Sequence, residues 1–262
     1  MTYLIDTHVH LDVFEDPAAM AGEAASQGVA GFVLPGTRIA GWSRLMRTVA
    51  ACPHAVAAPG VHPMDAENWQ TEQIDTLMAL HDRPKAVAVG EVGLDRKLPV
   101  SWGCQERLFR EMIQMARRLD KPLLIHNRRA TGRLIDILRE EHADQVGGIW
   151  HAFNGSLETA RQVLDLGFVL GIGGIVTYPE ARRLSEVVSQ VPESGLVLET
   201  DAPDMAPHPH RRARNRPANL ALIAAAVARL RHWSWEETAR TTTANALRVL
   251  RCDQALFAAD QG

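Results

Sequence analysis

Eight short apolar runs punctuate the chain, and segments of helical periodicity separate them. The runs cover residues 3–7, 29–34, 55–61, 86–92, 122–126, 148–151, 168–172 and 196–200. They are rich in Val, Ile and Leu and largely apolar on both faces, the pattern of strands covered by helices. Between them, residues 105–119 place Leu108, Phe109, Met112, Ile113, Ala116 and Leu119 on one stripe at helical spacing. Ser156 reads as the cap of a helix that runs to Gly167, and Ser234 with Glu237 makes a capping box for the last helix. Eight strands alternating with helices, with no linker or low-complexity segment, predict a single (β/α)8 TIM barrel over residues 1–262. A doubly wound open sheet would want a glycine-rich turn after its first strand. His8-Val9-His10-Leu11-Asp12 stands there instead.

The ionisable residues that close these runs are the candidate site. His8 and His10 follow the first run, Glu91 ends the fourth, His126 the fifth, His151 the sixth, and Asp201 follows the eighth. Barrel enzymes carry their chemistry at these C-terminal strand ends. Strand residues i and i+2 share a face, so the H-x-H pair can chelate one ion. Any one of the six, taken alone, reads equally as a hydrogen-bonded polar residue near a strand end. Six in one barrel mouth would be costly to bury without cations. Imidazole and carboxylate ligands suit Zn²⁺, Mn²⁺ or Fe²⁺ better than Mg²⁺, which prefers oxygen. Six ligands are too many for one catalytic zinc with an open position. Two ions about 3.5–4 Å apart, bridged by a carboxylate, would use them all and still admit hydroxide, so hydrolysis is the expected chemistry.

Charge and cysteine content narrow the setting. Net charge is -3 and the pI is about 6.4, so the whole surface has no footprint for blanket nucleic-acid or membrane binding. An anionic substrate must then be held by a local basic patch. Cys52, Cys104 and Cys252 are scattered, with no C-x-x-C pair, and read as thiols of a reducing compartment. The start of the chain has no basic n-region and reaches a candidate ligand by residue 8. The longest apolar stretch, residues 220–230, is too short for a span and carries Arg229. A cytoplasmic enzyme without a membrane association or an obligatory protein partner is expected.

The motifs also carry a family resemblance. His8-x-His10, Gly60-Val61-His62-Pro63, Gly90-Glu91-Val92-Gly93-Leu94-Asp95, Ile125-His126-x-Arg128, His151-Ala152-Phe153-x-Gly155 and Glu199-Thr200-Asp201-Ala202-Pro203 together resemble the TatD family of metal-dependent deoxyribonucleases. Gly173-Gly174-Ile175-Val176-Thr177-Tyr178-Pro179, Asp201-Ala202-Pro203-Asp204-Met205 and Asn215-Arg216-Pro217 are similar to its YjjV-type branch. The resemblance spans essentially the whole chain. It implies an amidohydrolase-like barrel with two divalent cations per subunit, of zinc, manganese or magnesium. By that analogy His8, His10 and Asp201 hold one ion, His126 and His151 the other, and Glu91 bridges them. Asp201 would also take the proton of the attacking water, which makes Asp201 and Glu91 the catalytic pair. Where many members continue with an aromatic residue after the Gly-Leu-Asp motif, Arg96-Lys97 follow Asp95 here, and the aromatic-rich loop of the second motif differs as well.

Phosphate handling should show as arginines near the mouth, because guanidinium forks match phosphate oxygens. Arg128 lies two residues beyond His126, and Arg211, Arg212, Arg214 and Arg216 cluster after the eighth run. For Arg211 and Arg212 a solvated basic loop is the competing reading. His62, Arg128 and Arg216 are the expected substrate-binding residues, with His62 placed for the scissile phosphate or its leaving oxygen and Asp95 for orienting an imidazole. His208 and His210 form a second H-x-H, but Pro207 and Pro209 break any strand there. His54, His81, His142 and His232 read as surface residues. The tryptophans read as packing, although Trp69 and Trp102, in expected loops, could stack on a base. The expected activity is exonucleolytic cleavage of DNA phosphodiester bonds, with DNA ends as the partner. Two rivals remain: a binuclear hydrolase of a small amide, lactone or aminoacyl ester, and an interaction protein with a vestigial site. A missing ligand would have favoured the last, and none is missing.

Overall fold

Strands and helices alternate around one closed ring. The computed structural model describes residues 3–257, so the expected domain span of 1–262 runs past the described residues at both ends. The strands are β1 (Leu4–Asp6), β2 (Val29–Pro35), β3 (Ala55–Ala58), β4 (Val89–Asp95), β5 (Leu123–Arg128), β6 (Gly148–Trp150), β7 (Phe168–Ile172) and β8 (Leu196–Leu198). The helices are α1 (Pro17–Ala25), α2 (Trp42–Ala51), α3 (Gln73–His81), α4 (Trp102–Leu119), α5 (Thr131–Glu140), α6 (Leu157–Asp165), α7 (Arg182–Gln190), α8 (Leu220–Arg231) and α9 (Trp235–Leu250). All strand pairs are parallel, in the orders β1-β2-β3 and β4-β5-β6-β7-β8.

Two seams join these sheets into a barrel. At one, the Thr7 amide donates to Leu198 O at 3.0 Å and the Asp201 amide to His8 O at 2.9 Å, which links β8 back to β1. At the other, the Val87 amide donates to Ala57 O at 2.8 Å. Above that bond β3 stops, because Pro59 has no amide hydrogen to continue the ladder. The backbone of Gly36 then reaches across to β4. Its amide donates to Gly90 O at 2.8 Å and its carbonyl accepts from the Glu91 amide at 2.8 Å. This crossing needs Gly36 and Gly60, since a Cβ on Gly36 would lie 2.8 Å from the Gly60 backbone and one on Gly60 2.7 Å from the Gly90 backbone.

Side-chain alternation divides the core in two. Ile5, Val33, Val56, Leu124, Ile149, Val169 and Val197 point into the barrel, where Val249 and Leu250 of α9 and Phe257 close the lower end. Their strand neighbours, among them Leu4, Phe32, Leu34, Leu123, Ile125, Trp150, Leu170 and Leu198, pack outward with the helices. The predicted caps form: Ser156 accepts the Thr159 amide and Ser234 the Glu237 amide, each contributing about 1 kcal/mol. Helix α4 starts a turn earlier than its apolar stripe, at Trp102, and the buried Gln105 amide pins the Asp95 backbone at 2.9 and 3.2 Å.

Candidate metal centre

The alternation that fills the barrel also aims the site. His126, His151 and Glu199 stand two residues beyond the inward-facing Leu124, Ile149 and Val197, so they enter the interior one layer higher. Strands β4 and β5 do not end at Glu91 and His126 as the apolar runs suggest. They stay paired through Gly93↔His126 to Asp95↔Arg128, with a register shift at Gly90/Val92. Strands β6 and β8 end earlier, which leaves His151 and Asp201 just beyond them. Asp201 sits in the left-handed region, at φ 57. A buried clamp holds that turn: Asp6 accepts from the Thr200 amide at 2.9 Å and the Thr200 hydroxyl at 2.5 Å, and the hydroxyl accepts from the Ala202 amide at 3.2 Å. Burial pushes the Asp6 carboxyl up to about 8 against the lowering effect of these bonds.

Glu91 is the hub. One of its oxygens lies 2.7 Å from His126 Nδ1 and the other 3.3 Å from His8 Nε2. Asp201 Oδ1 faces His10 Nε2 at 3.5 Å and His8 Nε2 at 3.9 Å, while its Oδ2 faces His151 Nε2 at 3.6 Å. His126 turns its other nitrogen to Asp95 at 3.3 Å, the orienting contact expected of that aspartate. Ligand-type atoms of His8, His10 and Asp201 gather within 4.8 Å of one another, as do those of His62, Glu91 and His126. His151 does not join His126 in a third such group. It stacks on His8 at 3.5 Å and groups with His8 and Glu199.

Electrostatics follows from this crowding. Burial, the largest influence, pushes Glu91 and Asp201 up, but the imidazoles of His8, His62 and His126 around Glu91, and of His151, His10 and His8 around Asp201, hold both carboxyls below their usual range. Burial pulls His126 down, yet its bonds to Asp95 and Glu91 carry it up to about 9. His151 rises well above its ordinary value because Glu199 and Asp201 outweigh its burial. For His62 burial outweighs the nearby Glu91 charge and lowers it to about 3.

These residues fit divalent cations. Among the described residues seven buried side-chain polar atoms lack a hydrogen-bond partner, and four belong to this cluster: His8 Nδ1 and Nε2, His151 Nδ1 and Glu199 Oε2. His8 Nε2 lies near Glu91 and His151 Nδ1 near Glu199, at ion-pair distance without hydrogen-bond alignment. Of these atoms His8 Nε2 faces Glu91 and Asp201, and an unpartnered imidazole nitrogen turned to two carboxylates is what a nitrogen and oxygen ligand set presents.

A sequence model described as TatD related DNase matches residues 5–251. The chain belongs to the TatD family. An uncharacterized metal-dependent hydrolase of Bacillus subtilis, YabD, is 37% identical over 252 residues, covering 95% of this chain and 99% of the relative. Escherichia coli YjjV is 34% identical over 247 residues, covering 92% and 95%. The crystal structure of that TatD homologue superposes with a TM-score of 0.86 at 31% identity, over 95% of this chain and 98% of the other. The TatD assignment makes the protein a metal-dependent hydrolase with histidines and carboxylates positioned to bind metal.

Around the TatD cluster opens a cleft of about 790 Å³, lined by His10, His62, Glu91, His126, His151 and Asp201 and, at its rim, by Arg128 and Arg129. His62 Nδ1 accepts the Met64 amide at 3.0 Å, so the proton of its neutral ring sits on Nε2, which faces Glu91 at 3.9 Å. His62 is therefore a donor into the cleft. Arg216 is not brought to the cleft, because its guanidinium pairs with Glu23 on α1 at 2.7 Å. Arg211 lies over Tyr178 and pairs with Glu180 beside the cleft, Arg214 lies over Phe14, and His208 and His210 are exposed. Neither candidate stacking tryptophan faces the cleft: Trp69 is buried, with its indole N–H on Glu111 at 2.7 Å, and Trp102 is covered by Arg96. His81 is not a surface residue. It is buried with Nε2 3.0 Å from Pro59 O, and burial lowers it to about 4. His54 is half-buried against Phe257 O, whereas His142 and His232 are exposed. No helix of the described residues is long and apolar enough to cross a membrane. Sequence reasoning passed over Arg129 and gave Glu199, quoted within its motif, no role. For Glu199 the signal was an acid two residues after an inward valine, and for Arg129 it was adjacency to Arg128.

Proposed function

We propose that the protein is a deoxyribonuclease that hydrolyses phosphodiester bonds at DNA ends, with His8, His10, Glu91, His126, His151 and Asp201 holding two divalent cations. The observation that carries this reading is Glu91, whose two oxygens face His126 on one side and His8 on the other, as a bridging carboxylate must. When bound, such cations supply an acidified water and neutralise charge that builds on a phosphoryl oxygen. The chain supplies the rest. An ionised oxygen of Asp201 accepts the proton of the attacking water as its oxygen bonds to phosphorus. The Nε2–H of His62 donates to the phosphoryl group or to the oxygen that departs, and Arg128 and Arg129 at the rim pair with phosphate oxygens. The products are a phosphate monoester and a free hydroxyl. A cleft at the barrel mouth with one cationic rim favours the end of a strand over an uninterrupted duplex.

The test compares three substrates after loading the protein with Mn²⁺ or Zn²⁺: single-stranded DNA, a simple chromogenic phosphodiester and an aminoacyl ester. Cleavage of the first two, silenced by a chelator, is expected. Turnover of the ester alone would replace this reading with that of a small-molecule hydrolase. Arg128→Ala should raise KM for DNA about 10-fold or more, the scale of a lost charged hydrogen bond, whereas Arg216→Ala should leave it unchanged because Glu23 already holds that guanidinium.

A further inference from the structure

Glu199 is unused by the mechanism above, yet it is a fully buried acid. It stands directly above Val197 in the barrel interior. Its Oε1 accepts the Ala152 amide at 2.6 Å and lies 2.9 Å from His151 Nδ1. Its Oε2 has no hydrogen-bond partner, and neither have His8 Nδ1 and His151 Nδ1. One ligand-type atom from each of His8, His151 and Glu199 lies within 4.8 Å of the other two. The two rings stack with their planes 19° apart, and their Nε2 atoms face Glu91 and Asp201. Room for the carboxylate comes from β7, where a Cβ on Gly171 would lie 2.2 Å from Oε2.

We infer that Glu199 is a positioning residue shared by two ligands, one carboxylate that accepts the Nδ1–H of both His151 and His8. A neutral imidazole carries its proton on one nitrogen only. An anionic acceptor at Nδ1 therefore fixes the tautomer that leaves the Nε2 lone pair free for a cation, and it raises the basicity of that nitrogen. The Ala152 amide on the same oxygen locks the turn that follows His151, where Ala152 is held at φ 47. Gly171 belongs to the same device, because any side chain there would occupy the carboxylate's place. The inference rests on the reading of His8 and His151 as ligands, and it assigns Glu199 no contact with substrate.

Chelator-stripped protein titrated with Mn²⁺ and Zn²⁺ by calorimetry tests it, together with ¹⁵N spectra of the histidine rings in the Zn²⁺-loaded state. The wild type should bind both cations and show His8 and His151 as Nδ1–H tautomers. Glu199→Ala should lose about 10–100-fold in affinity, the usual effect of removing such a partner, and lose the uniform tautomer. Glu199→Gln, whose amide oxygen still accepts, should lose less. Gly171→Ala should weaken binding by displacing the carboxylate while leaving the acid in the chain, and it decides the matter if Glu199→Ala does not fold. Folded Glu199→Ala or Gly171→Ala protein with wild-type cation affinity and tautomers would overturn the inference, as would a loss of thermal stability with both unchanged. A wild-type protein that binds neither cation would overturn the ligand assignment instead.

Discussion

Two layers of the barrel interior, one strand step apart, do opposite things with the same geometry. The lower is formed by side chains such as Leu124, Ile149 and Val197, and it is sealed by α9 and Phe257. Each such side chain, fully buried, contributes about 1.5–3 kcal/mol through apolar area removed from water. Two residues further along the same strands come His126, His151 and Glu199, in a layer where burial alone would cost several kcal/mol per charge. The upper layer offsets part of that cost by setting imidazoles against carboxylates, and the buried atoms it leaves without a partner are where bound cations would offset more. A barrel can separate stability from chemistry by a single turn of the pleat, provided the chemical layer is populated as a set and not one residue at a time.

Three measurements would break or sharpen this contrast. The largest effect should follow Asp201→Asn, which removes a carboxylate from the upper layer at nearly constant volume. Turnover should fall at least about 100-fold with the melting temperature little changed, and a variant that retains activity would strip Asp201 of its role as base. Next, Ile149→Ala in the lower layer should cost about 2–5 kcal/mol in denaturant melts while KM and cation affinity stay at wild-type values. Loss of turnover in the folded variant would mean that the layers are coupled. The smallest effect concerns His81, a buried imidazole with no carboxylate in contact. Burial, helped by the nearby Lys121 charge, holds it at about 4, below its ordinary 6.5. Its contribution to stability is therefore fully present above pH 6.5 and is lost as pH falls through about 4. His81→Leu should flatten the melting temperature between those limits, and an unchanged slope would show that the ring already titrates normally.

Most of the barrel was legible because its signal is local. Both-face apolar runs mark covered strands, and all eight appear within a few residues of their expected places. The ends were less legible. Pairing between neighbouring strands, and not hydrophobicity, decides where a strand stops: β4 and β5 carry each other to Asp95 and Arg128, whereas β3 loses its ladder at Pro59. The candidate ligands were readable for the same reason as the strands, since each closes or follows an apolar run. Arg216 shows the limit. Its motif was visible, but the partner that holds it, Glu23, lies 193 residues away and only the fold brings the two together. His81 and Trp69 misled in the same way, since a polar-tipped ring in a connecting stretch gives no hint of the carbonyl or carboxylate that will bury it. Glu199 could have been found by extending the inward register of Val197 one step.

The wall beside Glu91 is main chain, because Gly36 and Gly60 let the peptide segments at 36, 60 and 90 close on one another there. A wall of that kind has no rotamers to rearrange and no methyl groups to trim. Loops above it can therefore be lengthened, shortened or recharged, and substrate choice retuned, while the central carboxylate keeps its address.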